Sequence, residues 1–212
     1  MKQNILLFLA LVGIQTVASA QNPEYVKAME EVVTKIQTAA FEEDLTPQAN
    51  LLERIAAAEP KEWLPNYWAA YCYTMRSLSE PIADKKDVVL EKAEKLIASA
   101  EKLSPNNDEI EVMKATIAGA RLAVDPQNRW QKYGQISEEA LAAAKKISPE
   151  NPRAKLLEAQ SIFYTPEAYG GGKKKSEPLL KEALEKFAKF KPVSTIHPNW
   201  GLSVTQYMLS QI

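Results

Sequence analysis

Cysteine and histidine each occur once in the 212 residues, and glycine only seven times. A single cysteine, Cys72, rules out an internal disulfide. Its neighbours Ala70, Tyr71 and Tyr73 suit a buried, inert thiol rather than a reactive one. A single histidine, His197, excludes a histidine-rich metal site and argues against a catalytic triad. A capping or packing role is expected for it. Charge of one sign is also missing: 26 Lys+Arg stand against 27 Asp+Glu. Nucleic acid demands a strongly basic face, so that class of partner is excluded. The carboxylates fall in solvated runs such as Glu42-Glu43-Asp44, with no isolated acid pair in an apolar setting. These absences point away from an enzyme, and no cofactor or metal is expected.

Long apolar runs are lacking as well. The one apolar segment, Ile5 to Ile14, spans about ten residues, half of what a membrane helix needs. It follows a short start containing Lys2 and precedes Ala18-Ser19-Ala20, the pattern of a secretory signal peptide. Cleavage is expected after Ala20, leaving 21–212 as a single mature domain. No cysteine follows the run, so no bacterial lipid anchor is expected. The chain reads as exported rather than membrane-spanning, and as periplasmic in a Gram-negative bacterium.

No long alternating strand pattern occurs. Alanine, glutamate, lysine and leucine dominate, and all favour helix. In 88–100, Val89, Ala93, Leu96, Ile97 and Ala100 share one helical face. The predicted fold class is all-α. A repeat then emerges. Pro60, Pro105, Pro149 and Pro192 close successive helical stretches at spacings of 45, 44 and 43 residues. Ten residues after the first three stand Ala70, Ala115 and Ala159. Ala100 and Ala144 each precede a proline by five. Proline ends a helix, and a small residue in mid-helix lets a partner helix come close. A hairpin cannot bury its stripe alone, so neighbouring hairpins must stack.

On these residues the chain resembles the tetratricopeptide-repeat family. Ala70 and Tyr73 match its small and aromatic positions on the first helix of a unit. Ala115 and Ala159 match the small position, but Ala118 and Ile162 replace the aromatic. The resemblance covers about 46–212. It implies an α-α superhelix of about four hairpins plus a capping helix after Pro198, with 24–59 as a divergent first pair. The period exceeds the family unit of about 34 residues, and the extra residues are expected between the two helices of a unit.

The run Gly170-Gly171-Gly172-Lys173-Lys174-Lys175-Ser176 invites a phosphate-loop reading, which fails. That loop needs Gly at 167 and Ser or Thr at 174, where Glu and Lys stand, and no strand precedes it. The glycines instead join a helix over 152–164 to one over 175–189, with Ser176 or a neighbour as cap and Pro178 in the first turn. Lys173–Lys175 suits a solvated loop, or docking of an acidic partner or anionic headgroups. The loop and the following helix are also similar to the T-component proteins of TRAP transporters. That similarity implies a periplasmic accessory that binds a partner or a small solute. "HPNW" at 197–200 echoes "LPNYW" at 64–68, so both are expected to start helices.

The family resemblance implies that first helices line a concave groove. Tyr67, Tyr71 and Thr74 would then face it, and Phe163 and Tyr164 raise the same prospect. The competing reading is that these rings, with Trp63, Trp68 and Tyr73, fill the core. The expected function is non-catalytic: a scaffold that binds a protein or peptide partner of the cell envelope through its groove. The alternative is a solute-binding transporter accessory with an enclosed pocket lined by Tyr67, Tyr71, Phe163 and Tyr164.

Overall fold

A computed structural model describes residues 22–40 and 43–212. The N-terminal apolar segment and its expected cleavage site lie outside the described residues. Nine α-helices and no strand are found among the described residues, which establishes the all-α class. In chain order these are α1 (Pro23–Thr38), α2 (Thr46–Ala58), α3 (Leu64–Ser79), α4 (Ala83–Leu103) and α5 (Asp108–Val124). Then come α6 (Pro126–Ile147), α7 (Pro152–Tyr164), α8 (Lys173–Lys189) and α9 (Leu202–Ser210). Helices α3 and α4, α5 and α6, and α7 and α8 pair as hairpins, and α9 packs on α8.

Local chemistry sets these boundaries. Pro23, Pro47, Pro65, Pro126 and Pro152 occupy first-turn positions, where a missing N–H costs nothing. Asn22, Asn107, Asp125 and Asn151 accept hydrogen bonds from the N–H groups their helices leave open. Pro60, Pro105, Pro149 and Pro192 each lie two or three residues past a helix end, as the spacing predicted. Ala70, Ala115, Ala159, Ala100 and Ala144 are all buried where helices meet.

Four local expectations change. The extra residues of the repeat lie mainly in long second helices, 21 residues in α4 and 22 in α6, and not between the helices of a unit. Only Asp125 separates α5 from α6; the α7–α8 connection alone takes its extra length as a loop. Ser176 is no cap: its hydroxyl is buried and donates to the Lys173 carbonyl within α8. Gly172 holds the cap position, which puts Pro178 inside α8 and deprives the residue-174 carbonyl of its helical donor. Finally, His197–Trp200 starts no helix. It is a bend followed by irregular chain, and α9 begins only after Gly201, at φ +111°.

Three apolar clusters run along the stack. The first spans α1 to α5, the second α5 to α7, and the third α7 to α9. Trp200 packs against all three. At the hairpin-turn end, ion pairs join successive helices. Arg121 of α5 reaches Asp87 at 2.6 Å and Glu94 at 2.7 Å, both on α4. Arg129 of α6 reaches Asp87 at 2.7 Å.

The hydrogen bond from Arg129 lowers the Asp87 carboxyl to about 2, with Arg121 acting in the same direction. A carboxyl lowered on folding stabilises the fold above its unfolded range near 3.9, and loses that contribution as pH falls through the folded value. Asp87→Asn is therefore expected to lower the urea midpoint near neutral pH. The gap between parent and variant should narrow as pH falls from about 4 toward 2. A gap that is constant with pH would contradict this.

Candidate functional site

The rings of α3 form a chain. Trp63 meets Tyr67 edge-on at 5.6 Å, Tyr67 meets Trp68 at 5.6 Å, and Trp68 meets Tyr71 at 5.5 Å. Such edge-to-face spacing is the favoured geometry of buried rings. The segment after α8 then lies across them. Trp200 tilts over Tyr71 at 5.5 Å, and its indole N–H donates to the Tyr67 hydroxyl at 2.9 Å. The Trp68 indole donates to the Ile196 carbonyl at 2.8 Å.

Burial separates the candidate residues. Tyr67 and Thr74 are fully enclosed, and the Thr74 hydroxyl donates to the Ala70 carbonyl at 2.7 Å. Neither can touch a partner in this conformation. Tyr71 is half-buried under Trp200, and burial pushes its phenol up to about 12. Cys72 is buried, and burial pushes its thiol well above the ordinary range, so no thiolate forms near neutral pH. His197 is half-buried beside Trp63, with Nδ1 at 2.7 Å from the Ser194 hydroxyl. Burial holds its pKa below the usual imidazole value.

A buried arginine, which nothing in the local sequence distinguishes, organises the same region. Arg153 in the first turn of α7 is fully buried. Its Nε donates to Glu109 Oε2 at 2.7 Å, and its Nη2 donates to Glu109 Oε1. Asn151 adds a bond to the same carboxylate at 2.7 Å. The guanidinium also lies 4.4 Å from the Phe190 ring centre and 5.9 Å from that of Trp200. Burial pushes the Glu109 carboxyl up, while Arg153 and Asn151 pull it back.

Phe163 and Tyr164 stand elsewhere, at the end of α7, with ring centres 5.0 Å apart. Tyr164 is 71% exposed, and Tyr169 in the following 3-10 turn (Glu167–Tyr169) is 83% exposed. The glycine loop folds this turn back onto α7. The Gly172 N–H donates to the Ile162 carbonyl at 2.9 Å. A Cβ on Gly171 would sit 2.2 Å from the Thr165 carbonyl oxygen, so only glycine fits there. The glycines cap a helix end. Lys173 lies 5.4 Å over the Phe163 ring and donates to the Gln211 carbonyl at 3.3 Å, tying α9 to this end. Lys175 donates to the Gly170 carbonyl. Tyr67, Tyr71 and Thr74 thus lie together in the interior, and Phe163 and Tyr164 form a second group at the end of α7, in which Tyr164 is exposed and Phe163 is half-buried against the third apolar cluster. Two concavities on the described surface are open grooves beside α2, lined by residues such as Glu53, Ala57, Leu96 and Arg54. Neither includes the four rings.

No protein-family model matches the chain, and no curated protein does. Among solved structures, the HusA haemophore from Porphyromonas gingivalis is similar at a TM-score of 0.79 and 34% identity. The match covers 91% of this chain and 94% of that one. The chain belongs to the family of that haemophore.

Removing one partner of a buried charge pair leaves the other unpaired, which costs about 3–5 kcal/mol. Arg153→Met is expected to lower unfolding free energy by about that much in urea titrations. Replacing Arg153 and Glu109 together by apolar residues should cost less than Arg153→Met alone. A single variant as stable as the parent would contradict the role assigned to the pair.

Proposed function

We propose that the protein is an exported, non-catalytic haem carrier. The observation that carries this reading is the 34% identity to a haemophore across 91% of the chain. The surface chemistry supports it. Haem is a flat apolar ring edged by two carboxylates. It asks for exposed aromatic faces flanked by cations, and the chain presents exposed Trp130, Tyr164 and Tyr169 together with Lys173, Lys174 and Lys175. The buried groups offer it little. Tyr67 and Thr74 are enclosed, and neither the Tyr71 phenol nor the Cys72 thiol ionises near neutral pH.

On this reading residues 1–20 direct export with cleavage after Ala20, and 21–212 form one carrier domain built as a tetratricopeptide-type stack. The ligand is a small planar molecule and not a peptide laid along a groove. A receptor of the cell envelope that takes the loaded carrier is the natural protein partner.

The test is a titration of ferric haem into the purified protein, followed in the Soret region and by quenching of tryptophan emission. A saturable spectral change at micromolar haem, with a fixed stoichiometry, is the expected result. A linear, non-saturating change equal to that of a helical protein of similar charge would overturn the reading. In that case the partner-scaffold alternative would take its place, with capture of an envelope protein as its own test.

A further inference from the structure

The first turns of α6 are uncovered in a way the rest of the helix is not. Lys145 of α6 pairs with Glu158 of α7 at 3.5 Å, which fixes how the two helices lie side by side. From that pair α6 runs back fifteen residues to Trp130, whereas α7 runs on only six to its end at Tyr164. At about 1.5 Å per residue, α6 overhangs the end of α7 by roughly 13 Å.

The overhang places Trp130 beyond the reach of α7. Trp130 and Leu141 are eleven residues apart, close to three full turns, so they share one face of α6. Leu141 is buried in the cluster that holds Ala154 of α7. Trp130 lies on the same stripe past the point where α7 stops, and it is 60% exposed. Gly134 stands one turn from Trp130 on this face. A Cβ added there would meet nothing within 4 Å, so the space beside it is open. The result is a notch. Trp130 and Gly134 lie on its α6 side, and the end of α7, followed by the exposed rings of Tyr164 and Tyr169, lies at the same end of the stack. The start of α8 supplies Lys173, Lys174 and Lys175, all exposed. The hydrogen bonds made by Lys173 and Lys175 go to uncharged carbonyls, so their positive charge is not neutralised there.

We propose that this notch is the haem site: the ring lies against Trp130 and the Tyr164–Tyr169 turn, with its carboxylates toward Lys173–Lys175. The proposal rests on the haem reading above and adds its location. The carboxylates favour this occupant over a neutral apolar ligand, because the start of α8 brings three exposed lysines to the same end of the stack.

Gly134→Leu is the most direct test. The substitution removes a helix-interior glycine, and the Cβ it adds meets no neighbour within 4 Å, so the helix is kept while the space beside it is filled. Ferric haem is titrated into the parent, Gly134→Leu, Trp130→Ala, Tyr164→Ala/Tyr169→Ala and, as an exposed ring outside the notch, Tyr207→Ala. Circular dichroism checks that helix content is unchanged. Loss of ring stacking is expected to weaken binding roughly tenfold in the Trp130 and paired tyrosine variants, and Gly134→Leu is expected to weaken it at least as much. Tyr207→Ala should match the parent. If the parent binds and the notch variants bind equally well, the location is overturned and the haem reading stands. If the parent does not bind, the haem reading falls and takes the site with it.

Discussion

The Arg153 guanidinium is the interaction around which the second half of the molecule is arranged. A fully buried cation is tolerable only if its N–H groups and its charge are met on every side. Glu109 of α5 meets it in a forked pair, and the faces of Phe190 and Trp200 close over it. Three parts of the chain far apart in sequence must therefore arrive together: the start of α5, the start of α7 and the segment after α8. Trp200 follows from this placement. Held beside Arg153, it reaches all three apolar clusters and donates to Tyr67. The stack of hairpins is thereby tied along its length, and not only between neighbours.

This arrangement separates the two ends of the stack by role. The end that holds the starts of α3, α5 and α7 carries the arginine, the crossing segment and the enclosed rings, and it is closed. The hairpin-turn end is where helix lengths differ. Helices α4 and α6 are long, α7 is short, and the glycine loop folds back in place of further helix. Unequal lengths carry the start of α6, with its exposed Trp130, past the end of α7. A site for a flat ligand can form there without any cavity in the core, because the missing turns of α7 already leave the space.

Much of the fold was legible in the chain itself. The proline spacing and the buried alanines reflect local physics: proline stops a helix wherever it falls, and close helix packing needs a small residue. The helix over 152–164 was delimited correctly because Asn151-Pro152 and the glycine run mark its ends with strong local signals. The path of residues 190–201 was not legible. Its partners, Trp68, Tyr67 and Arg153, lie tens to more than a hundred residues away, and the repeated Pro-Asn-aromatic pattern at 198–200 looked like a helix start. Nor was the extra length of the second helices legible, since the charged stretches of α4 and α6 suit a loop as well as a solvated helix face. The pair Phe163 and Tyr164 shows in the sequence by its aromatic character alone. Trp130 carries no comparable signal in the sequence, because its exposure depends on where a different helix ends.

On the proposed assignment the ligand docks at the hairpin-turn end while the enclosed rings of α3 serve the fold. Amide chemical-shift mapping on adding iron-free protoporphyrin, which leaves the spectrum free of paramagnetic broadening, separates these roles directly. Shifts are expected to concentrate in residues 126–137 and 163–175, with the amides of 64–74 and 195–201 unmoved. Shifts centred on Tyr67, Tyr71 and Trp200, with 126–137 unmoved, would contradict it.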